Sequence, residues 1–94
     1  MSSHIVRVGA SAYTVVSGGA LELSIEYECD EGGEILFDVS DGFEISPRSL
    51  RVAPTAFTRL DVSVTVARRS AKTERCLITV SYSVTVERLL VKVS

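Results

Sequence analysis

Phe57-Thr-Arg-Leu60-Asp-Val-Ser-Val64-Thr-Val66 decides the fold of this chain. Leu60, Val62, Val64 and Val66 alternate with Asp61, Ser63 and Thr65. A side-chain period of two puts the aliphatics on one face of a strand and the polar groups on the other. The same alternation recurs at Leu21–Cys29, Ile35–Val39 and Cys76–Tyr82. Strands with one wet face belong to antiparallel sheets, because parallel sheets are covered on both sides.

Working outward, seven strand-like segments can be marked. His4–Val8 opens the chain and continues as Tyr13–Val16 after a kink at Gly9-Ala10-Ser11. Ser17-Gly18-Gly19 turns into Leu21–Cys29, and Asp30-Glu31-Gly32-Gly33 turns into Glu34–Ser40. After Asp41-Gly42 come Phe43–Ser46 and Leu50–Val52, a fourth strand broken around Pro47, since proline is tolerated only at a strand edge or break. Phe57–Ala67 is the fifth segment, Arg75–Ser83 the sixth and Glu87–Val93 the last. Even positions are apolar from Cys76 through Val86, whereas Leu89, Val91 and Val93 are odd. A turn or bulge between Ser83 and Arg88 must absorb that change of parity. No segment has helical periodicity. Ninety-four residues make one domain, 1–94. The pattern predicts an all-β, seven-stranded, antiparallel immunoglobulin-like β-sandwich.

Composition narrows the function classes. The net charge is −2, whereas nucleic-acid-binding domains carry a clear basic excess; no nucleic-acid role is expected. No apolar run approaches the ~18 residues a spanning helix needs, so no membrane insertion is expected. The chain opens without a basic stretch followed by an apolar one, so no signal peptide is read. That leaves the compartment open: cytoplasmic for a full-length protein, extracytoplasmic for a segment of a secreted one. Arg outnumbers Lys eight to two, and Asn and Gln are absent, a composition that fits a high-GC bacterial coding bias.

No catalytic constellation accompanies the strands, and no enzyme is expected. His4 is the only histidine. A nucleophilic device needs a histidine held by a third group, and a terminal strand is a poor place for one. Cys29 and Cys76 both lie on the inward parity. In a seven-stranded sandwich their strands run the same way, with Cys29 ending one and Cys76 beginning the other. Six intervening residues separate them by roughly 20 Å, and a disulfide needs Cα atoms within roughly 7 Å. Two separate buried thiols are expected. Two cysteines and one histidine do not make a tetrahedral zinc site. Calcium wants six to eight converging oxygens, yet a strand separates Asp30, Glu31 and Glu34 from Asp38 and Asp41. No metal and no cofactor is expected.

Arg68, Arg69, Lys72 and Arg75 crowd one loop, opposed only by Glu74. A basic patch can attract an acidic partner, although the loop lacks the interleaved aromatics of single-strand nucleic-acid binders. Asp30, Glu31 and Glu34 cluster at a turn that the sandwich topology puts at the other end. These seven residues are the candidate partner-binding groups.

A family resemblance also enters. Phe43-Glu-Ile-Ser-Pro47-Arg-Ser-Leu50-Arg-Val52, then Leu60-Asp-Val-Ser-Val-Thr-Val66, then Leu77-Ile-Thr-Val80 resembles the bacterial Ig-like and major-sperm-protein-like domains. In those families a hydrophobic-x-Ile/Val-x-Pro motif opens the middle of the sandwich and a Val-x-Val-x-Val strand follows. The resemblance covers about two-thirds of the chain and implies fold more than function. The third strand has no Trp, as an antibody domain would. The expected role is a non-enzymatic interaction or structural module, contacting a protein partner or neighbouring domain. Homo-oligomerisation through strand edges or charged poles is a further expectation. The alternative is a ligand-binding sandwich, a carbohydrate- or metal-binding module. Tyr27, Phe37, Phe43 and Tyr82 fall on inward positions, which leaves Tyr13 and Phe57 as exposed rings, too few for a sugar platform.

Overall fold

Alternation at the predicted positions builds an all-β molecule. A computed structural model describes residues 3–94. Among them are nine strands: β1 Ser3–Ala10, β2 Thr14–Val15, β3 Gly19–Cys29, β4 Gly33–Val39, β5 Phe43–Ser46, β6 Ser49–Val52, β7 Thr55–Arg68, β8 Arg75–Tyr82 and β9 Thr85–Val93. They form a four-stranded sheet, β1-β3-β7-β5, and a five-stranded sheet, β2-β9-β8-β4-β6. The two face each other across one apolar core.

The seven expected segments become nine strands because two of them are shared between the sheets. The first leaves β3 at Ala10, and its continuation, β2, lies parallel to β9 as Thr14↔Lys92 and Val15↔Val93. The fourth segment gives β5 to β7 and β6 to β4. Pro47, preceded by a cis peptide, carries the chain across the gap. Proline cannot donate to a ladder, so the crossing falls where no ladder bond is lost.

The longest ladder joins β3 to β7, from Gly19↔Val66 to Cys29↔Thr55. It aligns Leu21, Leu23 and Ile25 with Val64, Val62 and Leu60 on the inner face. Ile35, Phe37, Ile78, Val80, Val91 and Val93 answer from the other sheet, each at most 2% exposed. Val64 and Val66 are fully buried, whereas Leu60 and Val62 are half-buried. The ladder explains the difference: β5 covers β7 only at Thr65–Arg68, so the earlier half of β7 is a sheet edge. The four expected core aromatics are buried, and Tyr13 and Phe57 are exposed.

Two irregularities correct the parity. β1 bulges between Ile5 and Arg7, so Ile5 and Val8 both face inward while Arg7 turns out beside Glu26, 3.9 Å away. A bulge inserts one unpaired residue and so changes which face the next one takes. At the other end of the chain, Tyr82↔Thr85 closes a two-residue hairpin in which Ser83 adopts φ 57°. The parity change expected between Ser83 and Arg88 falls in this turn. It leaves Val84 and Val86 exposed, although their even numbers continue the inward series of β8.

Candidate interaction surface

The two charged clusters stand at opposite ends of β7, whose Thr55 lies against Cys29 and whose Arg68 lies against Phe43. Asp30 and Glu31 occupy the exposed β3–β4 turn, and Glu34 projects from the outer face of β4 opposite Arg51. Beneath that turn the Cys29 thiol is buried, accepting hydrogen bonds from the Gly32 amide, 2.8 Å, and from the Tyr82 hydroxyl. Tyr82 ends β8 and Cys76 nearly begins it, so the two thiols sit at opposite ends and both are free.

Arg68, Arg69, Lys72 and Arg75 all lie on or beside the β7–β8 loop at the other end. The loop is pinned rather than loose. Amides of Arg69, Ser70 and Ala71 converge on the Gly42 carbonyl at 2.7, 3.1 and 3.3 Å. The Arg68 guanidinium closes onto the Ala71 carbonyl at 3.0 Å, and Arg69 pairs with Glu44 at 2.9 Å. Sequence reading missed that Asp41 and Glu44 reach this end. The signal was the turn length: the tight Asp41-Gly42 turn passes the chain from β4 to β5 beside the loop, closed by the Phe43 amide donating to the Ser40 carbonyl at 3.3 Å. A shallow open cleft lies there, lined by Asp38, Ser40, Asp41, Glu44 and Arg48 among others. Among the described residues no group of three His, Cys, Asp or Glu is arranged to hold a metal ion. His4 meets Glu28 at 3.3 Å on the outer face of the four-stranded sheet.

Burial pushes the Cys76 thiol above its ordinary 9.0, opposed in part by hydrogen bonds from the side chain and backbone of Ser40. A thiol held protonated is a poor nucleophile, so Cys76 serves packing.

The outer faces of the two sheets differ, and sequence reading did not see it. The four-stranded sheet presents Glu22, Ser24, Glu26, Asp61, Ser63 and Thr65, with Arg7–Glu26 and Arg59–Asp61 ion pairs. The five-stranded sheet presents leucine and valine: Leu36, Leu77, Val86 and Leu90 are 50, 37, 41 and 54% exposed. Register sets them in rows. Leu77 faces Leu90, and Ser81 lies between Val86 and Leu36; Thr79, flanked by Asp38 and Arg88, separates these two rows, and Arg75 facing Lys92 lies beyond the first. No ion pair among the described residues engages Arg75, Arg88 or Lys92. The available signal was leucine at outward parity, at positions 36 and 77.

Compared with family models, curated proteins and solved structures, the chain matches none.

Proposed function

We propose that this chain is an Ig-like β-sandwich of the bacterial Ig-like or major-sperm-protein-like kind, acting as a non-enzymatic interaction module. Strand order supports the architecture. The order β1-β3-β7-β5 corresponds to the A-B-E-D sheet of an immunoglobulin constant-type domain, and β9-β8-β4 to its G-F-C sheet. On that reading β2 and β6 are short additions to the seven-stranded plan.

One observation carries the function: the outer face of the five-stranded sheet exposes four large aliphatics in register, whereas the other outer face is polar and ion-paired. Exposed large aliphatics gathered on one face among polar groups mark interaction sites. The partner is a protein or a neighbouring domain, since exposed aliphatics spread over three strands present a broad face, whereas small-molecule sites are enclosed pockets. The charged poles, with Arg68, Arg69, Lys72 and Arg75 at one end and Asp30, Glu31 and Glu34 at the other, add orientation and encounter rate.

A photo-crosslinking residue at position 77 should give a discrete protein adduct in cells that make the chain, and the same residue at position 63, on the polar face, should give none. Equal labelling from both positions, or none from either, overturns the reading.

A further inference from the structure

The amides of β9 alternate between its two edges. Val93 N–H donates to Glu74 on the β8 side, while Lys92 N–H donates to Tyr13 and Ser94 N–H to Val15 on the β2 side. Stepping back by twos, Val86, Arg88 and Leu90 direct their N–H and C=O groups to the β2 side as well. But β2 is two residues long and pairs only with Lys92 and Val93. From Thr85 to Val91, β9 therefore has no ladder partner on that edge among the described residues. Seven residues at ~3.3 Å each leave about 23 Å of open edge. An unpaired edge of that length is a template for an added strand.

The side chains beside this edge state what the strand must carry. Val86, Arg88 and Leu90 point outward, the aliphatics 41 and 54% exposed, with Arg88 unpaired between them. Cross-strand pairs favour like hydrophobicity and opposite charge. A second copy of β9 does not meet that rule. Antiparallel pairing about a two-fold at Arg88 sets Arg88 against itself, and a slip of two residues sets it against Val86 or Leu90. Two other long edges are open among the described residues, that of β1 and the first half of β7, but charges beside them are already matched, His4 by Glu28 and Arg59 by Asp61, each at 3.3 Å.

Building on the interaction-module reading, we propose that the open edge of β9 takes an extended segment of a partner protein whose outward side chains read apolar–acidic–apolar, the acid opposite Arg88. Backbone bonds to Val86, Arg88 and Leu90 give the affinity. The charge match selects the partner, and β2 sets where the added strand stops.

The test uses the whole chain and two soluble peptides flanked by serine and glycine, one with the core Thr-Val-Thr-Asp-Thr-Val-Thr and one with Lys in place of Asp. Hydrogen exchange on the full protein reads the edge. The acidic peptide should slow exchange of the Val86, Arg88 and Leu90 amides, and the Lys peptide should bind at least about tenfold more weakly. Arg88→Glu should reverse the preference while far-ultraviolet circular dichroism stays unchanged. If neither peptide protects these amides, or if both bind equally, the edge proposal falls. If the free chain instead dimerises with those amides protected, the occupant is a second copy and the proposal also falls. A position-77 crosslink that survives such failures keeps the module reading alive, so the two ideas fail separately.

Discussion

Gly42→Ala tests how the basic loop is held. Gly42 has φ +91°, and a Cβ there would lie 2.5 Å from the Ala71 amide nitrogen and 2.6 Å from its Cα. Two costs follow. An L-residue in left-handed backbone costs roughly 1–2 kcal/mol. The clash is with backbone, so residues 69–71 must move, and their three amides share the Gly42 carbonyl. A carbonyl has two lone pairs, so loosening this shared acceptor is counted as two hydrogen bonds at ~0.5–1.5 kcal/mol each, about 1–3 kcal/mol. Together the loss is about 2–5 kcal/mol, from the ~5–15 kcal/mol a domain has.

Gly18→Ala is the control. Gly18 has φ +85° with nothing within 4 Å of its Cβ position, so it carries the backbone cost alone, taken at the low end of that range, ~1 kcal/mol. Urea titration at 25 °C separates the two. With a slope of roughly 1 kcal/mol per molar, Gly42→Ala should lower the midpoint by about 2 M or more and Gly18→Ala by about 1 M. Adding Ala71→Gly should restore little, because the amide nitrogen and Cα remain in the way. Equal midpoints for the two alanine variants would refute the packed turn.

Val64→Asp should unfold the domain and Ser63→Asp should not, since Val64 is fully buried and Ser63 exposed, and an unpaired buried charge costs several kcal/mol; equal melting temperatures would mean the faces are reversed. Thiol titration under denaturing, non-reducing conditions should count two free thiols, one each from Cys29 and Cys76. Because burial raises the folded Cys76 thiol above 9.0, its contribution is complete below the unfolded value and is lost as pH rises through the folded one. The urea midpoint should therefore fall above about pH 9 in the wild type and fall less in Cys76→Val. Replacing Arg68, Arg69 and Lys72 by Ser should remove the salt-sensitive part of partner binding, since exposed charges are screened as the Debye length drops from ~10 Å at 0.1 M to ~3 Å at 1 M; partner affinity independent of salt in both proteins would rule out the poles.

Most of the fold could be read from parity, because a buried inner face forces the choice at each position. Leu21 to Cys29 and Cys76 to Tyr82 face inward as the alternation requires. The bulge in β1 was not legible: His4-Ile5-Val6-Arg7-Val8 read as plain alternation puts Arg7 on the face of Ile5. The change of sheet at Pro47 was visible only as a break. A proline says that pairing stops, and only the ladders of β7 and β4 say where the chain goes next. Likewise β9 was expected from Glu87, but the Tyr82↔Thr85 pair adds two residues that parity had treated as turn.

The surface was harder to read, for a reason that net charge illustrates. A value of −2 looks like a molecule indifferent to the sign of its partner. Folding sorts the charges that make it up. Glu22, Glu26, Glu28, Glu44 and Asp61 go to the outer face of the four-stranded sheet, where Arg7, Arg59 and Arg69 compensate several of them. Arg51, Arg75, Arg88 and Lys92 go to the outer face of the five-stranded sheet with only Glu34 and Asp38 for company. A Debye length of ~8 Å at physiological salt is smaller than the distance between the two outer faces, so the strand proposed to dock at β9 would meet the local cations and not the average. The charge required of that proposed strand is set by register, which pairs Arg75 with Lys92 and leaves Arg88 beside Thr79. Register depends on contacts far apart in the chain, and no count of acids and bases contains it.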